Sequence, residues 1–504
     1  MPPGSGPDRA ANTLPGLGVR MASGAGWMIG ARLFDRALGL LSTLVLARLL
    51  VPEDFGLIAM ATAIVALLEA VSSFGFDAAL IRHPNASREH FDTTWTLHAL
   101  MGLFVGSGLL LAIAPAVWFF EEGRLGPIMT VLAVVAFVRG LENVGVVALE
   151  RELRFRRAFV FIAAKKAAMF CTAVPLAFLL GDYRALLAGI GAGALTGVAL
   201  SFVIHGHRPR PTLSRWREMF AFSRWLLLKN LLDYFRLRYA DIVIGRIAGP
   251  GALGAYRIGA EIATLSTSEL IAPINRAVLP GYARMTDDRD QLRSGYLAVL
   301  GLVALVGLPA AMGIAAAAPL IVPVLLGPNW SLAIGVVQTL AWVGAVQALV
   351  ANGYPLYLAI GRPWIATALS AAHAGLLVVV LPVAGIGWGL AGVLYGVLAV
   401  TVVLFPIDLA VLLRQLRLPL RPCLATLIRP LIAAVLMHWL VAAFVARTSQ
   451  TGGAVALIAA IALGLFSYVI VLATLWLVQG RPAGAESTVL RWLHARRAVL
   501  RPTA

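Results

Sequence analysis

The chain has 504 residues, of which 60% are hydrophobic and 13% are charged, and its mean hydropathy is +0.87. A soluble domain of this size cannot bury so much apolar surface, and the alternating segments of a membrane β-barrel are missing. Successive apolar runs of about 20 residues instead predict an all-α integral membrane protein. The net charge of +17 lies mainly in short loops, which indicates membrane topology rather than binding to nucleic acid.

A Pro/Gly-rich segment at 1–23 is predicted to be a flexible cytoplasmic leader. Fourteen transmembrane helices follow. Their predicted limits are 24–50, 54–81, 92–120, 125–149, 157–180, 184–205, 219–247, 252–280, 295–326, 330–359, 363–384, 387–413, 424–446 and 453–478.

Arg-rich loops alternate with loops that hold little beyond Arg124, Arg184 and Arg447. Because basic loops face the cytoplasm, both termini are predicted on that side, as an even number of helices requires. The tail at 479–504 is predicted to be a basic amphipathic helix on the anionic lipids of the inner leaflet.

Five residues of the first two helices recur 198 positions later. The pairs are Trp27/Trp225, Asp35/Asp233, Arg48/Arg246, Pro52/Pro250 and Gly56/Gly254. Six helices separate the copies, so both copies run in the same direction. The repeat predicts two parallel six-helix lobes, 24–205 and 219–413, related by a pseudo-two-fold axis. The loop 206–218 joins them on the cytoplasmic side, and the two helices within 424–478 lie outside the duplication.

Ionisable residues inside a bilayer are functional candidates, and here they concentrate in helices 1, 2, 7 and 8. We interpret the basic ones as phosphate-binding groups of a water-filled cavity between the lobes. They are Arg32, Arg36, Arg236, Arg238, Arg257 and Arg276. An alternative is that arginines and acids only neutralise one another as internal pairs.

The acidic residues of these helices have two possible roles: binding a coupling proton or sodium ion, or serving as a counter-ion to a neighbouring arginine. They are Asp35, Asp233, Asp241, Glu69 and Glu261. For the repeated pair, Asp35 and Asp233, the counter-ion role is favoured. Arg48 and Arg246 lie near helix ends and are interpreted as structural.

No metal site or cofactor is predicted, because no two His or Cys residues have metal-binding spacing. His98 and His373 are isolated in apolar helices and are interpreted as packed or hydrogen-bonded. Cys171 and Cys423 imply no disulfide framework.

The run ARLLVPEDFGLIAMA at 47–61 and its echo GRIAGPGALGAYRIG at 245–259 resemble a family of oligosaccharide flippases. These belong to the multidrug/oligosaccharidyl-lipid/polysaccharide exporter superfamily and include the colanic acid exporters. PINRAVLP at 273–280 and LLGPNW at 325–330 are similar to the same group, and the resemblance covers roughly 20–420.

The resemblance implies fourteen helices in two lobes that work by alternating access. It also implies a substrate, an oligosaccharide repeat unit on undecaprenyl pyrophosphate. This would be flipped from the cytoplasmic to the periplasmic leaflet of the bacterial inner membrane, for exopolysaccharide or lipopolysaccharide biosynthesis.

Two other functions stay open at this point. A multidrug or cation exporter of the same superfamily would need a net acidic cavity, which the arginine excess disfavours. A membrane polymerase or ligase of lipid-linked sugars would need acid/base residues in a sizeable external loop. The external loops are short, and Glu121 with Glu122 is the nearest candidate.

We therefore expect a transporter rather than an enzyme, acting as a monomer. Its expected partners are the lipid-linked oligosaccharide, anionic membrane lipids, and the polymerase and glycosyltransferases of the same pathway.

Overall fold

The structure is a computed structural model. It describes residues 14–72, 74–83, 86–152, 154–221, 224–448 and 453–481, together with 484 and 487. Within these ranges the regular elements are helices, and no strand is present.

In the first half of the described chain, short helices lie between longer ones. They are α1 Leu14–Leu49, α2 Pro52–Ser72, α3 Phe76–Arg82, α4 Arg88–Leu111, α5 Ile113–Phe120, α6 Leu125–Gly140, α7 Gly145–Arg151, α8 Phe155–Leu180, α9 Arg184–Ile204 and α10 Trp216–Ala221.

The second half has longer helices, with a π-helix at Ser266–Ile271 and a 3-10 turn at Pro328–Trp330. They are α11 Arg224–Ala263, α12 Ala272–Arg284, α13 Arg289–Leu325, α14 Ser331–Val350, α15 Gly353–Ala359, α16 Pro363–Leu416, α17 Leu420–Thr448 and α18 Gly453–Val478.

The all-α membrane architecture is confirmed. In the described part of the chain, nine helical segments are long and apolar enough to cross a membrane. Helices α1 and α11 are not among them, because charged residues interrupt their apolar stretches. The number fourteen stays a prediction.

Helix α16 shows how one continuous helical run provides two membrane-length segments. Its backbone leaves the helical region at Trp388 and Gly389, where glycine adopts a φ of 57°. The arms then fold back on each other, since a Cβ on Gly396 would lie 3.1 Å from Leu381. Each arm has about 25 residues, or about 37 Å of helix, which is enough to span a bilayer.

Both copies of the repeat interrupt the helical backbone at the residue before a proline. Between α1 and α2 the chain leaves the helix at Val51, and Pro52 opens α2. At the equivalent point of α11, Gly249 has a φ of 78° and a ψ of 179°, and Pro250 follows. Proline lacks the amide hydrogen that a continuous helix needs, so it favours the first turn of a new helix.

The chain divides into two compact units, Met1–Tyr234 and Phe235–Ala504, and the division falls within α11. In the first unit, α8 packs against α1 and α9, and α4 packs against α6. In the second unit, α13 packs against α14 and α17, and α17 packs against α18. The last two described helices therefore belong to the core of the second unit.

The segment before α10 is anchored to the first turns of α4 by side chains of α4. Asp92 accepts a hydrogen bond from the amide of Arg210 at 3.1 Å and lies 3.0 Å from Nε2 of His207. The hydroxyl of Thr96 accepts from the amide of Thr212 at 3.0 Å. The loop that was predicted to join the lobes is thus fixed to the first unit by backbone hydrogen bonds.

Helices α4 and α6 approach closely at a pair of glycines. A Cβ on Gly102 would lie 2.8 Å from the Cα of Gly140 and 2.9 Å from the carbonyl oxygen of Ala136. Small residues permit such close approach of membrane helices, where van der Waals packing provides much of the association energy.

We expect Gly102→Ala to destabilise the protein by about 1–3 kcal/mol, because the added methyl group must push α4 and α6 apart. The measurement is the free energy of unfolding of the purified protein in mixed micelles. Gly191→Ala on α9 is the matched control, since its Cβ meets nothing within 4 Å. Equal stability of the two variants would contradict the close approach.

Candidate functional site

In the first unit, acidic residues of the predicted site lie beside basic groups of other helices. Asp35 on α1 is 3.4 Å from Nζ of Lys166 on α8, and Glu69 on α2 is 3.8 Å from Arg139 on α6. These side chains are partly exposed, with Asp35 at 42% and Glu69 at 52%. Each pair therefore contributes little stability by itself.

Two lysines of α8 were missed by the sequence prediction. Lys166 is the described ion-pair partner of Asp35, and the adjacent Lys165 bonds Glu142 at 2.8 Å. Two consecutive lysines within the apolar run 157–180 are the signal that could have revealed them.

Arg36 is half-buried on α1. Arg32 lies in the same helix and Arg276 lies in α12, but both side chains are outside the described residues. Their predicted role in substrate binding stays a proposal.

Asp233 pairs with Lys229 one turn earlier on α11. The repeated acids Asp35 and Asp233 thus both lie beside a lysine in the structure, but these lysines are on different helices. Glu261, further along α11, is half-buried.

The second unit contains a buried acid between two arginines. One oxygen of Asp241 lies 3.4 Å from Arg238 and 3.3 Å from Arg257, and Asp241 is fully buried. The sequence predicted these residues as separate candidates, and the structure brings all three together. Two guanidinium groups and one carboxylate leave an excess of one positive charge at this position.

A cavity of about 500 Å³ lies within the second unit. Its lining combines Arg236 with hydrogen-bonding and aromatic side chains, which include Asn275, Gln347, Tyr354 and Ser370. Amides, hydroxyls and aromatic rings suit a sugar, and a guanidinium suits a phosphate. Arg236 is therefore the predicted site residue that the structure places on a cavity wall.

His373 and Asp408 also line this cavity, 3.5 Å apart. Neither was predicted to belong to the site. Both belong to helices that carry few other charges, and sequence alone does not show that they meet.

Among the described residues, His83, His90 and Glu218 are close enough to share a metal ion. However, the amide of Ser87 donates to Nδ1 of His90 at 3.1 Å. Neutral His90 therefore carries its proton on Nε2, which lies 3.1 Å from Glu218. A metal ligand needs a lone pair on that nitrogen, so the arrangement fits a hydrogen-bonded contact between α4 and α10.

A family model described as "Polysaccharide biosynthesis protein" matches residues 45–335. The chain belongs to this family. The match includes both copies of the repeat break and the motif LLGPNW, and it confirms the resemblance noted in the sequence.

Curated members of the polysaccharide biosynthesis group are similar over most of their length. The lipopolysaccharide biosynthesis protein WzxC of Escherichia coli K12 is 24% identical over 342 residues, which cover 66% of this chain and 68% of WzxC. The succinoglycan biosynthesis transport protein ExoT of Rhizobium meliloti is 22% identical over 63% of this chain and 64% of ExoT.

The fold is that of a solved transporter. The structure titled lipid II flippase MurJ, inward closed conformation, matches with a TM-score of 0.69 at 13% identity. The match covers 89% of this chain and 98% of MurJ.

We expect Asp241→Asn to destabilise the protein by about 3–5 kcal/mol, because two arginines lose a buried counter-charge. The measurement is the free energy of unfolding of each purified variant in mixed micelles. The control is Asp233→Asn, whose partly exposed pair should be worth less than about 1 kcal/mol. Adding Arg257→Gln to Asp241→Asn should recover part of the loss. If Asp241→Asn and Asp233→Asn were equally stable, the buried cluster would not hold the unit together.

Proposed function

We propose that this protein is a flippase for lipid-linked oligosaccharides. Its substrate is an oligosaccharide repeat unit on undecaprenyl pyrophosphate. It moves this substrate from the cytoplasmic to the periplasmic leaflet for exopolysaccharide or lipopolysaccharide biosynthesis, by alternating access. The protein acts as a carrier, and the chemistry of sugar transfer belongs to other proteins.

The observation that carries the proposal is the excess of arginine in the second unit. Arg238 and Arg257 share the single carboxylate of Asp241, and Arg236 lies on the wall of the cavity. A guanidinium keeps its charge at any physiological pH and binds phosphate oxygens in a bidentate manner. A pyrophosphate-linked sugar offers such oxygens together with hydroxyls for the amides and tyrosines.

The comparisons support the same substrate class. The family is one of polysaccharide biosynthesis, ExoT is named a transport protein, and the fold is shared with a lipid II flippase. An exporter of organic cations would instead need an acidic site, which the arginine excess does not provide.

The protein is a multi-pass membrane protein, and we place it in the bacterial inner membrane with both termini in the cytoplasm. Its proposed partners are anionic lipids and the glycosyltransferases and polymerase that act before and after translocation. The proposed substrate contacts are those predicted from the sequence, with Arg236 supported by its place on the cavity wall.

Deleting the gene in its native host should stop polymer export and cause lipid-linked oligosaccharide to accumulate. The intact gene should restore export. Arg236→Gln and Arg238→Gln should each restore about tenfold less polymer export than the intact gene, because each variant loses a charge-assisted hydrogen bond to phosphate. Arg289→Gln, at an exposed position at the start of α13, is the matched control and should restore export fully.

Full export by both arginine variants would remove these arginines from the substrate path. Normal export after deletion, with efflux of organic cations lost instead, would favour the cation exporter. Polymer formation by the purified protein from lipid-linked monomers would favour the enzyme.

A further inference from the structure

Two titratable side chains face each other across the arms of α16. His373 lies on the first arm and Asp408 on the second, and Nε2 of His373 is 3.5 Å from an Oδ of Asp408. Both line the cavity of the second unit. Asp408 is only 9% exposed, so its charge needs compensation inside the protein.

The hydrogen bonds of His373 determine where its protons lie. Nδ1 is 3.0 Å from the carbonyl oxygen of Leu369, and a carbonyl can only accept, so Nδ1 carries a hydrogen. Nε2 therefore points a lone pair or a second proton at Asp408. A lone pair facing a carboxylate is unfavourable, whereas one proton held between the two groups satisfies both.

Few other charges influence this pair. Helix α11 contributes Arg236 and Tyr256 to the cavity, and α15 contributes Tyr354 and Tyr357. Helices α12 and α14 contribute the uncharged Asn275 and Gln347. Arg236 is the lysine or arginine side chain of this lining.

Three buried tyrosines lie in the core of the same unit. Tyr357 lines the same cavity as Asp408, and it shares one buried apolar cluster with Tyr296 and Tyr282. The hydroxyls of Tyr282 and Tyr296 have no hydrogen-bond partner among the described residues. Tyr282 lies two residues before Arg284, the exposed last residue of α12. Buried hydroxyls that hydrogen-bond through water can pass protons from one to the next.

We propose that His373 and Asp408 form a proton-binding site that couples transport to proton movement. We further propose that Tyr357, Tyr296 and Tyr282 connect this site to the end of α12. The coupling rests on the proposed transport function. The binding of the proton does not, and it can be measured on the purified protein alone.

The first experiment is proton uptake by the purified full-length protein in detergent, titrated between about pH 9 and pH 5. The intact protein should take up about one more proton per molecule than the double variant His373→Gln/Asp408→Asn. In Asp408→Asn the midpoint should fall by about one pH unit or more, a tenfold loss of proton affinity, because the carboxylate that stabilises the proton is gone. Asp290→Asn removes an exposed carboxylate and is the control. It should leave the midpoint of proton uptake unchanged.

An unchanged midpoint in folded Asp408→Asn would overturn the pair as the proton site. A midpoint of the intact protein that moves when sodium replaces potassium would also overturn it, in favour of a sodium site. Tyr296→Phe should slow proton uptake without moving its midpoint, and an unchanged rate would overturn the connection through the tyrosines.

The second experiment measures transport of lipid-linked oligosaccharide into proteoliposomes with and without a pH gradient. The intact protein should respond to the gradient, and Asp408→Asn should transport at a rate that the gradient does not change. A variant that still responds would overturn the coupling. If the intact protein did not transport at all, the flippase proposal would fail, while the titration would still decide the proton site.

Discussion

A charge inside an apolar membrane needs a partner within the protein, and this requirement organises both units. Asp241 is fully buried and has two arginines beside it. Asp35 and Glu69 meet basic groups on neighbouring helices. These contacts decide where positive charge is left over. In the second unit one positive charge is left over at Asp241, and a further arginine, Arg236, lines the cavity.

Local chemistry made much of the fold predictable. The break at Val51 and Pro52 and the break at Gly249 and Pro250 follow from proline and glycine alone. Both breaks are visible in the sequence as parts of one repeat. The apolar runs likewise indicated membrane helices, because backbone groups in lipid must be satisfied within each segment. The charges that interrupt α1 and α11 stand out against these runs for the same reason.

The partners of the charges were less predictable, because they depend on which helix faces which. Asp35 was favoured as a counter-ion to a neighbouring arginine, and the structure adds a contact with Lys166 on α8 that the sequence did not indicate. Asp241, Arg238 and Arg257 were each identified, but their meeting was not. His373 and Asp408 are 35 positions apart and come together only because α16 folds back at Gly389. The periodicity of the sequence does not indicate that α16 folds back at this point.

Translocation of a lipid-linked oligosaccharide can be measured most directly by reconstitution. Purified protein is placed in vesicles that contain an undecaprenyl-pyrophosphate-linked oligosaccharide from its host. A membrane-impermeant glycosidase then reports the fraction of substrate exposed outside. A flippase predicts that vesicles with protein expose nearly all of the substrate, while protein-free vesicles expose only the outer-leaflet share. Equal exposure in both, with the protein folded and inserted, would contradict the proposed function.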